Sequence, residues 1–523
     1  MTVRFWEVIV MKVSRHVAGA ALAAAAVLAS PTALTRAAGQ TPAPVELGTI
    51  NFPTSAKPAA QASFLIGTKA LFNFEFDLAG DAFREAQKAD PAFALGYWGE
   101  AMSFNHPLWA EQDLASARRA LEKLAPTAGA RAAKAPVGKE RELLEAADVL
   151  FGAGDKLARD VAYAQALGRM HAKYPQDDEI SVMYALSLLG TARPGEKSTR
   201  NAMQAAALAL EVFQRHPQHP GAAHFIIHAF DDPDHAILAL PAARAYSRIA
   251  PSAAHALHMP SHIFVQLGMW DDVVASNIVA YKAAVDLADK KNLPRGREDF
   301  HTLSWLQYAY LQQGKFDEAQ KCVDQAKTVA DKNLDNPRIR DGYASMKARQ
   351  VVETARWEKL ALPTGAVRDG GAPGYDGSAA YVFAAGVSAA NLGDLATATL
   401  ALEKLKAMRT QAESGSNAYR AKPFAIMERE VGAVIAATEN DMAAAEKQIK
   451  EATEIELSLD APSGPTEPIK PSFELYGMLL QKQGRAKEAA AQFQQSLMRT
   501  PNRRAALEGL RQSTPTTSTS QPQ

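Results

Sequence analysis

A set of marks recurring every 34 residues constrains this chain more than any other feature. Pro217 and Pro251 lie 34 apart, and between them Ala239, Ala243 and Tyr246 share one helical face. Residues 60–93 repeat the phase with Gly67, Ala79, Phe83, Ala86 and Pro91. The unit 253–286 has Gly268 and Trp270 at its mid-turn, then Val273, Asn277 and Ala280. Later copies keep a turn of glycine, any residue, then an aromatic or apolar one: Gly314-Lys315-Phe316 with Ala319, and Gly393-Asp394-Leu395 with Ala398. Gly484 with Ala489, Phe493 and Pro501 makes the last. Asn440-Asp441-Met442 with Ala445 is a degenerate copy, because asparagine tolerates the left-handed turn almost as well as glycine. A period of this length means that each unit is a pair of helices able to bury its apolar face only on its neighbours. A chain of 523 residues would otherwise suggest several globular domains. Its alanine-rich, β-branched-poor composition favours helices as well.

These marks resemble the tetratricopeptide repeat family, and the resemblance covers most of the mature chain. It implies an all-α, right-handed superhelical solenoid of antiparallel helix pairs, whose concave groove binds a protein or peptide partner. Tyr97-Trp98-Gly99-Glu100-Ala101-Met102 and His258-Met259-Pro260-Ser261-His262 are also similar to a subset of exported bacterial repeat proteins, which implies topology and no particular chemistry. The expected layout is a signal peptide at 1–38, a flexible linker at 39–61, an array with a histidine-rich groove at 62–361, a C-terminal array at 379–512, and a disordered tail at 513–523. Pro-, Gly-, Ala- or charge-rich stretches at 125–139, 362–378 and 459–471 interrupt the array. They read as surface loops, with hinges or ligand-covering flaps as alternatives.

The N-terminus reads as an export signal. Lys12, Arg15 and His16 precede the apolar run from Val17 to Ala29, and small residues lead to Ala37-Ala38-Gly39-Gln40. Met11 would make a tidier start, and an uncleaved anchor is the alternative. The expected location is periplasmic or extracellular. No apolar run in the mature chain is long enough to span a bilayer. Cys322 is the sole cysteine, so no intrachain disulfide forms. Lys+Arg and Asp+Glu each total 57, which leaves no net basic field for nucleic acid or an anionic membrane.

Histidines concentrate in the centre. Counted with the closing proline of each unit, or the residue matching it, as position 32, His224 and His228 take positions 5 and 9, and His258 and His262 take the same two positions one repeat later. His255 and His301 each take position 2 of their helices. Positions 2, 5, 9 and 12 form one stripe of a helix, and the family resemblance places that stripe in the concave groove. Positions 5 and 9 lie one turn apart, and neighbouring helices run roughly 8–10 Å apart, so four imidazoles can converge. The expected metal site is His224, His228, His258 and His262, with His255, His301 or Asp231 as alternates or outer partners. Zinc or copper suits imidazole, and mixed ligation with Asp suits iron or manganese. Two other readings compete: a hydrogen-bonded histidine network that fixes the superhelix, and a groove for an anionic peptide involving Arg244. Asp232, Gln266 and Tyr308 are the further groove residues expected to contact a partner. His106 reads as a helix cap before Pro107. His171, His216 and His219, beside Pro or charge near helix ends, read as surface residues.

Familiar enzyme signatures are missing. No His-Glu-x-x-His or Gly-x-Ser-x-Gly occurs, and the stretch Gly190 to Ser198 inserts Glu196 before the lysine of a phosphate loop and follows a helix. Cys322 falls on a core position, and Trp98, Trp270, Trp305 and Trp357 fall on packing positions. Any catalysis rests on the His/Asp groove. The leading expectation is an exported partner-binding scaffold; the alternative is a metal-binding protein or metal-dependent enzyme.

Overall fold

Each repeat begins with a helix that is apolar nearly all round and continues with an amphipathic one. In the first pair, Pro58–Phe72 and Phe76–Ala89, the second helix buries Ala79, Phe83 and Ala86 on one stripe and turns Glu85 and Lys88 to solvent. Gly67 faces Phe83 so closely that a Cβ there would lie 2.8 Å from the ring, which explains the small residue at that mark. The computed structural model describes residues 45–193, 199–296, 298–333, 335–362, 378–415 and 418–514. The expected signal peptide, the start of the linker, residues 194–198, the loop 363–377 and the tail from 515 lie outside the described residues. Helix pairs follow in order to Ser472–Lys482 and Ala486–Arg499, with Arg504–Ser513 packed on the last pair. The fold is the expected all-α solenoid of antiparallel helix pairs. Among the described residues the one sheet is Asn105–His106 paired antiparallel with Glu111–Gln112, and no helix is long and apolar enough to cross a membrane.

The recurring turn has one geometry. Gly268, Gly314, Gly393 and Gly484 sit at φ between 67° and 79°, and Asn440 does the same at 65°. In each case the next N–H reaches back to a carbonyl near the end of the preceding helix, as Lys315 does to Tyr310. Phe74 occupies this slot in the first repeat at φ 57°, and Glu75 N–H closes onto Ala70. A bulky residue in the left-handed region costs about 1–2 kcal/mol, so something else must hold Phe74 there.

Two extended segments tie distant repeats together. Residues 45–57, within the expected flexible linker, are fixed: Leu47 and Phe52 are buried. The segment crosses the starts of four successive inner helices. Ser55 N–H donates to Glu140, Asn51 N–H to Glu179, Thr49 N–H to the Gln218 carbonyl, and Glu46 N–H to Ser252 Oγ. Partners one repeat apart therefore meet donors only two to four residues apart, as an extended chain crossing packed helices requires. The second segment is the 459–471 loop, expected at the surface. Thr466, Ile469 and Lys470 are buried in it, and it lies against helix Glu298–Gln312. Gly464 packs on Trp305 so tightly that a Cβ would fall 2.3 Å from the indole.

A buried charge cluster locks this second segment. The Arg503 guanidinium, wholly shielded, makes paired bonds to Glu353 (2.8 and 3.1 Å) and to Glu474 (2.8 and 3.1 Å). It also donates to Thr466 Oγ1 at 3.2 Å and Tyr308 Oη at 3.3 Å. From Val45 onward the chain forms one compact unit.

Candidate metal centre

Three short inner helices carry the central histidines: Pro220–Ala229, Ala254–His258 continuing into Pro260–Gln266, and Glu298–Gln312. Pro260 lacks an N–H, so the bond back to the Ala256 carbonyl cannot form and the second helix breaks there, while Ser261 Oγ–H donates to the His258 carbonyl. The break keeps His255, His258 and His262 on the inner side despite the proline between them.

The six side chains form two groups of three, not the single four-histidine site expected. His224, His228 and His255 make one group; His258, His262 and His301 make the other, each with its ligand atoms within 4.8 Å of one another. Positions 5 and 9 of one repeat are thus joined by position 2 of the next. Adjacent inner helices cross at an angle, so the start of the later helix meets the middle of the earlier one. Asp231 does not join either group. Its Oδ2 accepts from His262 Nδ1 at 2.6 Å, while its buried Oδ1 has no partner among the described residues.

Hydrogen bonding fixes the imidazole tautomers. The Phe72 carbonyl can only accept, so His224 Nδ1, 2.7 Å away, carries a proton and leaves a lone pair on Nε2. Asn277 Nδ2 donates to the Val273 carbonyl, which turns Oδ1 toward His258 Nδ1 at 2.7 Å, so His258 also keeps a lone pair on Nε2. Asp231 does the same for His262. In the first group His228 Nε2 lies 3.0 Å and His255 Nε2 3.2 Å from His224 Nε2. In the second, His301 Nε2 lies 2.9 Å from His258 Nε2. With metal–nitrogen bonds of about 2.0–2.1 Å, ligand nitrogens sharing an ion are separated by roughly 2.9–3.4 Å, the spacing of His224 to His228 and His255 and of His258 to His301, with the remaining pairs within 4.8 Å.

Each group has an aromatic wall. Phe74 lies 4.4 Å from the His224 ring, 5.4 Å from His255 and 5.8 Å from His228. Trp305 lies 4.4 Å from His262 and 4.9 Å from His258, with the 459–471 segment behind it. The strained turn at Phe74 is therefore held by packing on three histidines. Burial, reinforced by neighbouring imidazoles, keeps four of these side chains neutral: His224 is pushed down to about 3, and His228, His255 and His258 well below the ordinary value. Neutral imidazole is the metal-binding form.

Other sequence expectations fare differently. Gln266 and Tyr308 are buried rather than groove-facing: Gln266 Nε2 donates to the Pro462 carbonyl at 2.9 Å, and Tyr308 lies beneath Arg503. The chain's own loop fills that stretch. Asp232 is half-buried and holds His235 Nδ1 at 2.8 Å. His106 does not cap by its side chain; its ring stacks on Phe76 at 4.1 Å. His219 is buried, not superficial, and its Nδ1 accepts the Ala222 N–H as a helix cap. His216 is exposed beside Asp178, and His171 is half-buried against Ser181. Cys322 is buried, its thiol pushed up to about 12 by desolvation, and is no nucleophile. The walls Phe74 and Trp305 were not singled out for the site from sequence. Phe74 carries a usable signal, standing where other repeats have glycine or asparagine.

No family model matches the chain, and no curated protein does. Among solved structures it is similar to an APC/C hetero-tetramer, Cut9–Hcn1, at 13% identity over 87% of this chain and 76% of that one, TM-score 0.34. It is also similar to a Rap protein complexed with competence and sporulation factor, at 12% identity over 77% and 98%, TM-score 0.33. A third is an IFIT1 monomeric mutant with Gppp-AAAA, at 12% identity over 88% and 87%, TM-score 0.37. Likenesses this distant say nothing of what the chain binds.

Proposed function

We propose that the chain is a metal-binding solenoid protein in which each histidine triad holds one late first-row ion. The observation that carries this is the first triad's proton count. A hydrogen-bonded network would aim the N–H groups of both His228 and His255 at the single lone pair of His224 Nε2, whereas one ion accepts a lone pair from all three. Phe72, Asn277 and Asp231 serve as the outer partners that metal-bound histidines ordinarily have. An all-imidazole set favours copper or zinc over iron or manganese, which prefer oxygen ligands.

The test is metal analysis of untagged protein, before and after His224→Gln and His258→Gln. Two ions per chain are expected in the parent and one in each variant. Absence of any stoichiometric first-row metal, including after reloading, overturns the reading. Phe74→Asn gives a second check. Asparagine suits the left-handed turn, so about 1 kcal/mol of strain is relieved, but an aromatic wall worth about 2–3 kcal/mol is lost. A net loss of about 1–2 kcal/mol in urea denaturation is expected, with weaker metal retention in the first triad alone.

Partner binding is a compatible second role, favoured by exposed apolar pairs Ile237–Leu238 and Ile278–Val279 on the outer helices of the two histidine-bearing repeats. Pull-down with and without Leu238→Asp and Val279→Asp tests it. We take the chain to be exported, on the strength of its N-terminal signal pattern; fractionation of cells making the full chain checks that.

A further inference from the structure

We infer that the two triads act as one dinuclear copper centre that takes up dioxygen between its ions. The inference rests on the metal-binding reading above and deepens it. The boundary between the triads is His228 against His262, with ring centres 6.2 Å apart. Rings inside the second triad are separated by 4.6 to 6.5 Å, so His228 and His262 approach one another as closely as the widest-spaced rings of one triad do. On this inference the two ions sit on either side of the His228–His262 contact and share a single small bridging ligand.

The ligand set favours copper in its reduced state. All six donors are imidazoles; of the carboxylates beside them, Asp231 has one oxygen committed to His262 Nδ1 and Glu75 accepts from the His255 backbone N–H. Two divalent ions would bring four positive charges into a mostly buried pocket without an anionic protein ligand. Two cuprous ions bring half that charge, and burying charge without compensation is costly. Three protein ligands leave each ion an open position, the arrangement of reactive rather than structural sites. His301, the most exposed of the six, marks the side on which solvent and a small molecule enter.

Dioxygen fits that opening and balances the charge. Each of two Cu(I) ions gives one electron, dioxygen accepts both, and the products are two Cu(II) ions bridged by peroxide. The O–O bond is kept and no proton is needed. The dianionic bridge supplies the anion that the protein lacks at this point. The buried, unpartnered Asp231 Oδ1 stands next to this boundary, through its own bond to His262.

The experiment loads the full-length chain anaerobically with Cu(I), then admits air. Expected are two coppers per chain, uptake of one dioxygen per copper pair, a new near-ultraviolet charge-transfer band, and an electron paramagnetic resonance signal far below two spins because the bridged Cu(II) ions couple. Denaturing that sample in acid should release the full two-spin signal. Protein half-loaded with one equivalent of Cu(II) should show a signal close to one spin, and so should His301→Gln loaded with excess Cu(II) and freed of unbound metal. Two bound coppers whose signal integrates to two independent spins overturn the inference while leaving the metal-binding reading intact. So does two-fold zinc loading that excludes copper. Failure to bind any metal overturns both.

Discussion

Metal-free protein taken from pH 6.5 to 4.5 should lose roughly 5 kcal/mol of stability, a large share of the ~5–15 kcal/mol typical of folded domains. An unfolded histidine binds a proton near pH 6.5. Folded His224 does so only at about 3 and His219 at about 4, because burial opposes the charge. His228, His255 and His258 are likewise depressed. Across that window the unfolded chain binds more protons, so stability falls as pH falls and is complete above about 6.5. Three buried carboxyls push the other way. Glu179, raised to about 7, and Glu430 and Glu456, also raised by burial, bind protons more readily when folded. Five histidines against at most three carboxyls leave two groups net, each contributing up to ~1.4 kcal/mol per pH unit, with solvent-reached His301 left aside. Urea midpoints measured with a chelator from pH 7 to 4.5 check this. A flat profile would show that the cluster opens to water at little cost. His219→Asn, which keeps a capping side chain, should reduce the slope by about one proton.

Arg503→Ala should cost about 3–5 kcal/mol, the second largest effect. Its loss strands Glu353 and Glu474 in the interior with Lys470 as the remaining cation beside Glu474. Burial opposes ionisation of Glu474, yet Arg503 and Lys470 hold its carboxylate down to about 2, so the fold relies on that pair of cations. The variant Arg503→Met combined with Glu353→Gln and Glu474→Gln should regain part of the loss, since both stranded carboxylates are gone although Lys470 then lacks its partner. If the triple variant is no better than Arg503→Ala, packing rather than charge is the cause. Release of the 459–471 segment should also change Trp305 fluorescence, because Gly464 lies on that indole.

The repeating parts of this molecule were legible because their causes are local. Gly268, Gly314 and Asn440 are needed by a turn a few residues long, and Ala79, Phe83 and Ala86 by one face of one helix. The same phase brought His224, His228, His258 and His262 into view, and named His255 and His301 beside them. It did not divide them correctly, since the crossing of neighbouring helices, not position within a helix, decides which imidazoles share a focus. The straps left no periodic trace at all. Gln266 meets Pro462 and Arg503 meets Tyr308 across almost two hundred residues, and nothing near Tyr308 signals that an arginine will cover it. His219 misled for a related reason. A histidine between prolines reads as surface until Glu179 and Phe72, far away in sequence, close over it.

The two straps bear on how the chain comes to be folded. An open repeat array is quasi-one-dimensional: units add or fray singly, and truncation removes stability in instalments. Here Glu46 to Ser55 bind sites distributed from Glu140 to Ser252, and the final helix is pinned through Arg503 to the middle of the array. Those contacts have high sequence separation, so loop-closure entropy must be met before any of them forms, which slows folding and makes it more all-or-none. The chain behaves less like a stack of coins than like a buckled belt: the ends must be in place before the centre is finished. The histidine pocket, walled by Phe74 near one end and backed by the second strap, is therefore expected to be among the last parts to be assembled.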